Sequence, residues 1–219
     1  MGGVLIISNL LSTKDKKIMD RKNFLLTSSL AAFSLTTCGS VVKSETGEFK
    51  GDCETTNDIL GPFYRENVPI RSNIIVEGVR GAQILLHGKI FGSDCTTPLP
   101  NALVEIWHCN ADGEYDNDSD EYRHRASWKT DANGEYSFQT ILPGKYLNGK
   151  LFRPSHIHYR VTASNHKELI SQIYFKGDPH ITKDPWASQE KAQHRILEIA
   201  PIDTKGNLQL KFDIFLADK

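Results

Sequence analysis

Residues 83–91, Gln-Ile-Leu-Leu-His-Gly-Lys-Ile-Phe, carry apolar side chains that come close to alternating with other residues. Such alternation is typical of a β-strand with one buried face. The same pattern recurs at 102–107, 134–138, 157–161, 169–175 and 208–215. Each of these segments is therefore predicted to be a strand.

Turn-forming clusters separate the predicted strands. They are Asp-Cys-Thr-Thr-Pro at 94–98, Asp-Ala-Asn-Gly at 131–134 and Pro143-Gly144, and only residues 185–197 look helical. Short strands joined by tight turns are typical of an all-β sandwich. We therefore predict a two-sheet β-sandwich with few short helices.

Length and charge narrow the classes of function. The chain has 219 residues, which is enough for one sizeable domain and a short leader. Its 26 basic and 27 acidic residues are nearly balanced and form no long run of one sign. This composition does not suggest a nucleic-acid surface or a polybasic membrane patch, and it favours a small-molecule ligand.

Residues 1–38 are predicted to be a signal or leader segment. Basic side chains between Lys14 and Lys22 precede an uncharged stretch at 24–37 that is rich in Leu, Ala and Ser. That stretch is too short and too polar to cross a bilayer, which takes roughly twenty apolar residues. Translation can start at Met1 or at Met19, and the second start gives a leader of conventional length.

The end of the leader fits three interpretations. Residues 35–38, Leu-Thr-Thr-Cys, resemble a lipoprotein box in which Cys38 would carry a lipid anchor. Residues 21–25, Arg-Lys-Asn-Phe-Leu, resemble a weakened twin-arginine signal. An ordinary cleaved signal is the third. All three interpretations predict export. We expect the protein in the periplasm or lipid-anchored to the cell envelope rather than fully secreted.

Residues 39–52 are polar and predict a flexible tether, so the folded domain is predicted to span 53–219. Beyond Cys38 the chain has three cysteines, and an oxidising compartment would allow one bridge. We predict a disulfide between Cys53 and Cys95. Cys109 lies in an apolar strand pattern and is predicted to be a buried thiol.

The sequence Arg-Pro-Ser-His-Ile-His at 153–158 is the strongest sign of chemistry. Residues two apart in a strand face the same side, so His156 and His158 would lie together with Ile157 on the other face. Two imidazoles on one face can share a metal ion. Alone the pattern is weak, since such pairs also occur as solvated strand residues.

Ordered motifs surround this histidine pair. They are Leu-Gly-Pro-Phe-Tyr at 60–64, the run from Val104 to Tyr115, Thr130 to Phe138, Ile-Leu-Pro-Gly-Lys-Tyr at 141–146, Gln-Ile-Tyr-Phe-Lys-Gly-Asp at 172–178 and Phe-Asp-Ile-Phe-Leu at 212–216. Together they resemble the intradiol ring-cleavage dioxygenase family over residues 58–216. Stretch 146–153 is shorter than in protocatechuate-cleaving members, so the resemblance does not identify the diol.

The resemblance implies a mononuclear non-haem Fe(III) site and a set of residues that serve it. The implied ligands are Tyr115, Tyr146, His156 and His158. Arg153 and Gln172 would hold substrate and intermediate, and Tyr146 would act first as a ligand and then as a general base. Gly61 and Pro62 would line the pocket.

The implied reaction uses O2 to open a catechol-type ring between its two hydroxyl-bearing carbons, giving a muconate-type diacid. Catechol, protocatechuate, hydroxyquinol and other diols all remain open as the substrate. Family members commonly associate, and the resemblance implies a homodimer.

The ligand types support this chemistry without the resemblance. Anionic phenolate oxygens are hard donors that favour a hard trivalent cation, whereas thiolates would favour zinc or copper. A phenol with a pKa near 10 ionises at neutral pH only beside a strong cation. Ferric iron fits these donors, and two tyrosinates would make it a Lewis acid rather than an oxygen-reducing ferrous centre.

Two alternatives stay open. The turns and strands near 98–104, 130–138 and 143–146 also fit a non-catalytic transthyretin-like or carboxypeptidase-associated sandwich, in which Tyr146 would only pack. The histidine pair together with Arg153 and Tyr115 argues against that interpretation. A zinc or copper hydrolase or oxygenase is disfavoured because two tyrosines suit neither metal.

Overall fold

The computed structural model describes residues 41–43, 49–51, 53–78, 80–202 and 208–219. The chain divides into two units, Met1–Cys38 and Gly39–Lys219. The predicted leader, with its export signal and Cys38, lies outside the described residues. In the segment predicted as a tether, Val41–Lys43 and Phe49–Gly51 form a two-stranded antiparallel pair. Its role as a tether stays a prediction.

The described residues contain fourteen strands and two short 3-10 helices. In chain order the strands are β1 Val41–Lys43, β2 Phe49–Gly51, β3 Gln83–Phe91, β4 Leu103–Trp107, β5 Arg125–Lys129, β6 Glu135–Ile141, β7 Tyr146–Asn148, β8 Leu151–Arg153, β9 His156–Thr162, β10 Leu169–Phe175, β11 Ile196–Leu197, β12 Ala200–Pro201, β13 Leu208–Lys211 and β14 Ile214–Phe215. The 3-10 helices are Ile181–Lys183 and Glu190–Arg195.

Two five-stranded sheets form the domain, which confirms the predicted β-sandwich. One sheet has the order β11-β10-β9-β4-β5, with neighbours antiparallel except β10 and β11. The other is built around β3, which pairs antiparallel with β6 and parallel with β13 and β14. A separate hairpin joins β7 to β8.

The hydrophobic core lies between the two sheets. Strand alternation supplies Ile84, Leu86 and Ile90 from β3, and Ile157 and Tyr159 from β9. All five side chains are fully or almost fully buried. His156 and His158, at the start of β9, face the other side of their sheet, where loops cover them. This second, buried face holds the candidate site.

Two local predictions differ from the structure. Residues 185–197 were predicted helical, but the helix begins only at Glu190, because the Asp184 carboxylate accepts the N–H groups of Trp186 and Ala187 in a turn. The predicted strand 208–215 is interrupted at Phe212, whose carbonyl lies so close to Gly88 that a Cβ there would be 1.9 Å away.

Strand β5 and the β7–β8 hairpin were not predicted. In β5 the first three residues, Arg125, Ala126 and Ser127, are all buried. Because two of them are polar, no alternation of apolar side chains reveals the strand. The hairpin shows the reverse pattern, since Leu147, Leu151 and Phe152 are apolar and yet exposed.

The predicted disulfide is confirmed. Cys53 and Cys95 are bonded, and Cys109 is a free, buried thiol. The bridge fixes the start of the folded domain to the turn after β3. None of the helical segments in the described part of the chain has the length or apolar character that a bilayer crossing requires.

Candidate metal centre and active site

Strand β9 places His156 and His158 side by side, as predicted. Their ring centroids are 4.9 Å apart, and both side chains are essentially inaccessible to solvent. Ile157, between them, belongs to the core on the opposite face. The two imidazoles therefore share a buried face of the sheet.

The nitrogen atoms of these rings differ in their hydrogen bonding. His156 Nδ1 donates to the carbonyl oxygen of Pro154 at 2.6 Å, so Nε2 carries the lone pair of the ring. Neither nitrogen of His158 has a hydrogen-bond partner although both are buried. Buried polar atoms are rarely unpaired, so these nitrogens point to a bound group. A metal-ligating histidine commonly donates its other nitrogen to a carbonyl, as His156 does.

His158 is held between two neighbours. The indole of Trp107 stacks on it at a centroid distance of 4.7 Å and an angle of 10°. The second neighbour is Gly61, which lies so close that a Cβ added to it would be 3.2 Å from Cε1 of His158. Gly61 thus lies at the site as predicted, whereas the adjacent Pro62 is exposed.

The predicted tyrosine ligands converge on the same place. The hydroxyl of Tyr115 lies 3.4 Å from His156 Nε2. The ring of Tyr146 lies 5.7 Å from that of Tyr115 and 5.6 Å from that of His156. Phe63 stacks on Tyr115 at 4.1 Å and helps to hold it in place. All four predicted ligands therefore cluster, and their role as ligands stays a prediction.

Backbone contacts lock the two tyrosine-bearing loops together. Gly144, two residues before Tyr146, donates its N–H to the carbonyl of Asn110 at 2.9 Å, and its own carbonyl accepts the thiol of Cys109 at 3.2 Å. Gly113 has φ of +87°, and a Cβ there would be 2.4 Å from the carbonyl oxygen of Lys145. Such an approach requires glycine, so these contacts fix the separation of the two phenols.

The electrostatics of the cluster favour neutral imidazoles and disfavour free phenolates. Burial lowers the pKa of His156 to about 4 and that of His158 well below its ordinary value. Burial also raises the pKa of Tyr115 well above 10. Neutral imidazoles are ready to bind a metal, but Tyr115 would ionise only with a strong cation beside it.

The donor set fits a hard trivalent metal ion. No three His, Cys, Asp or Glu side chains in the described residues gather as a metal site would require. A metal at this place therefore depends on the phenolic oxygens of Tyr115 and Tyr146. Two phenolates and two imidazoles suit ferric iron better than zinc or copper.

Arg153, predicted to hold substrate, is buried beside the predicted ligands. Its Nε donates to Asp184 at 2.8 Å, and its Nη2 donates to Gln172 at 3.1 Å. Nη1 has no hydrogen-bond partner in the described part of the chain, and a role in holding substrate stays a prediction. Burial disfavours the charge, but the bond to Asp184 outweighs it and raises the pKa of Arg153.

Gln172 lies directly opposite His158 on β10. Its Oε1 accepts from Arg153, and its Nε2 donates to the carbonyl of Ile59 at 2.8 Å. In this arrangement Gln172 orients the guanidinium and ties the 53–64 segment to the sheet. Direct contact with substrate stays a prediction.

Sequence reasoning missed the charged network behind Arg153. Besides Asp184, it contains a second buried ion pair, Asp58–Arg195 at 2.7 Å. Tyr174 connects the two, because its hydroxyl lies 3.0 Å from Asp58 and 3.3 Å from Arg153 Nη2. Asp58 and Arg195 are 137 positions apart, so no local pattern could reveal the pair.

The fold and the site define a β-sandwich with a two-histidine, two-tyrosine cluster and a buried arginine. A family model described as Dioxygenase matches residues 59–218. The chain is 33% identical over 175 residues to the protocatechuate 3,4-dioxygenase beta chain of Burkholderia cepacia, covering 72% of this chain and 73% of that protein. The chain belongs to the intradiol ring-cleavage dioxygenase family.

Two further comparisons agree with this assignment. Catechol 1,2-dioxygenase of Acinetobacter baylyi is 40% identical over 153 residues, covering 59% of this chain and 49% of that enzyme. The chain thus spans about half the length of the catechol-cleaving relative. The solved dioxygenase domain of a dioxygenase and carbohydrate-binding protein fusion from Streptomyces sp. SirexAA-E has a TM-score of 0.65 and 25% identity, covering 76% of this chain and 99% of that domain.

Proposed function

We propose that the protein is an Fe(III)-dependent dioxygenase that uses O2 to cleave a catechol-type diol between its two hydroxyl-bearing carbons. The product would be a muconate-type diacid. The observation that carries this proposal is the cluster of Tyr115, Tyr146, His156 and His158, in which both nitrogens of His158 are buried and unpaired. A purely structural sandwich has no use for such a group.

The four clustered side chains would hold the iron. When bound, ferric iron would supply Lewis acidity that favours the ionised form of the diol. The neutral imidazoles would add no charge, whereas the two phenolates would offset part of the charge of the cation. Phe63, packed on both tyrosine rings, would keep water from one side of the cluster.

Tyr146 would accept a proton from the substrate, and Arg153 would stabilise negative charge on it. The Tyr146 hydroxyl has no hydrogen-bond partner among the described residues, so as a phenolate its oxygen would be free to accept a proton from the diol. Arg153 stays cationic, and its Nη1 would donate to negative charge that develops on the ring. Asp184 and Gln172 hold its other nitrogens and so fix that direction.

The test is the visible spectrum and metal content of the purified protein. About one iron per chain and a red-brown tyrosinate-to-ferric absorption are expected, with a shift of the band when catechol is added without oxygen. Admission of oxygen should then consume one O2 per diol and yield a muconate-type acid. A colourless protein that binds zinc would overturn the proposal.

A further inference from the structure

The β7–β8 hairpin extends the candidate site outward. Tyr146 pairs directly with Arg153, the next pair is Leu147 with Phe152, and the last is Asn148 with Leu151. Paired residues share a face, and successive pairs alternate between faces. Asn148 and Leu151 therefore lie on the same face as Tyr146 and Arg153, about 7 Å farther along the strands.

The outer pair on this face is uncharged and open. Leu151 is 53% exposed, which is unusual for a leucine whose neighbours on that face belong to a buried site. The only cation of the tip, Lys150, lies in the two-residue turn with Gly149. Asn148 and Leu151 carry no charge, and the cation on this face is Arg153, which lies at the inner pair and already donates to Asp184.

The opposite face of the hairpin has a different character. Lys145 Nζ lies 4.6 Å from the ring centroid of Phe152 and 3.1 Å from Nε2 of His180. Leu147, 58% exposed, shares this face and points away from the predicted ligands. The hairpin therefore carries two equally exposed leucines, one on each face.

We propose that Leu151 and Asn148 form the outer wall of the diol site and select diols that carry an apolar ring substituent, alkyl or aryl. The proposal rests on the proposed ring-cleaving function. A diol with its oxygens near Tyr146 and Arg153 meets these two side chains next on the same face. An apolar substituent would cover Leu151, whereas a carboxylate would lie against the uncharged pair of Asn148 and Leu151.

The size of the preference follows from burial. Each methylene that is fully buried strengthens binding by about fourfold. A butyl chain that is about half covered should therefore bind roughly tenfold more tightly than hydrogen at the same ring position. A carboxylate at that position should give no such gain.

The experiment titrates the ferric protein without oxygen and follows the visible band. Catechol, 4-butylcatechol and protocatechuate are compared by Kd, and kcat/KM is then measured in air. We expect 4-butylcatechol to bind about tenfold more tightly than catechol and more tightly than protocatechuate. Leu151→Ser should reduce the tenfold ratio to below threefold.

Leu147→Ser is the matched control, since it removes an equally exposed leucine from the other face. It should leave the ratio of 4-butylcatechol to catechol within twofold of the parent value. Both side chains are exposed, so neither change should affect folding. An equal effect of the two substitutions would overturn the proposal.

Other outcomes separate this proposal from the function on which it rests. If catechol is bound and cleaved but the butyl group brings no gain, the selectivity proposal fails and the proposed function stands. If both serine variants instead lose binding to anionic lipid vesicles with unchanged diol ratios, the leucines serve a lipid surface and the proposal is wrong. If catechol does not bind at all, both proposals fail.

Discussion

Arg153 and Asp184 form an ion pair in which both side chains are almost fully buried, with 2.8 Å between Nε and Oδ2. The guanidinium also lies over the ring of Trp186, 4.4 Å from its centroid. Asp184 therefore balances a buried charge, and it also fixes the orientation of the guanidinium, whose Nη1 has no hydrogen-bond partner among the described residues.

Asp184→Ala should destabilise the fold by about 3–5 kcal/mol, because it leaves the Arg153 charge buried without its partner. Urea unfolding monitored by fluorescence would measure the loss. Glu198→Ala is the matched control, since Glu198 forms an exposed ion pair with Lys176. Exposed pairs contribute about 0–1 kcal/mol. Equal losses for the two variants would contradict a structural role for the buried pair.

Asp184→Asn tests whether Asp184 orients the guanidinium of Arg153. The amide oxygen can keep the place of Oδ1, which accepts the N–H groups of Trp186 and Ala187, so the fold should survive better than in the alanine variant. The amide nitrogen then faces Arg153 Nε, which loses its acceptor. We expect kcat to fall about tenfold or more, while the visible band of the iron is retained, since Asp184 contacts none of the four predicted ligands. A variant that turns over diols at the parental rate would show that the orientation of Arg153 is unimportant.

Tyr146→Phe should retain some iron and lose most of its activity, because a phenyl ring can neither bind the metal nor accept a proton. The tyrosinate absorption should weaken and shift as one of two phenolate donors is lost. Absorption spectra and stopped-flow turnover would follow both effects. Tyr122→Phe serves as the control, since the Tyr122 hydroxyl only donates to the Glu66 carbonyl at 3.3 Å. Unchanged turnover in Tyr146→Phe would remove its proposed role.

Much of this site could be predicted from sequence because its parts follow local rules. The period of two in a strand put His156 and His158 on one face, and the structure places them there. Motif order along the chain brought in Tyr115 and Tyr146, which no local rule connects to the histidines. The disulfide was predicted because only three cysteines remained after the leader.

The rest depends on distant contacts that a sequence does not display. Asp184 precedes Pro185 and Trp186 and would pass for a turn residue, yet its partner Arg153 is 31 positions away. Arg195 lies in the segment predicted to be helical, where a charged residue would be expected at the surface, but it is buried against Asp58. Polar residues that are buried by long-range pairing reverse the usual link between polarity and exposure, so hydrophobic patterns miss them.

Replacement of Cys53 and Cys95 by serine should lower the free energy of unfolding by about 2–4 kcal/mol, because the bridge closes a loop of 42 residues. The bridge also anchors the segment that follows Cys53. In this segment the carbonyl of Ile59 accepts a hydrogen bond from Gln172 Nε2, and Gly61 packs close to His158. Urea midpoints of the parent protein with and without reductant would give the same comparison. Identical midpoints would mean that the segment is held by its hydrogen bonds alone.

Gly113→Ala should separate the two tyrosine loops and weaken iron binding. A Cβ at Gly113 would be 2.4 Å from the Lys145 carbonyl oxygen, in addition to the strain of its φ of +87°. Gly177→Ala provides a matched control, because Gly177 has φ of +91° with no atom within 4 Å of the added carbon. Both variants carry about 1–2 kcal/mol of backbone strain, and only Gly113→Ala adds a collision. Iron retained after dialysis against a chelator should therefore fall in Gly113→Ala and not in Gly177→Ala. If both variants retain iron equally, the backbone contact between the loops does not set the distance between Tyr115 and Tyr146.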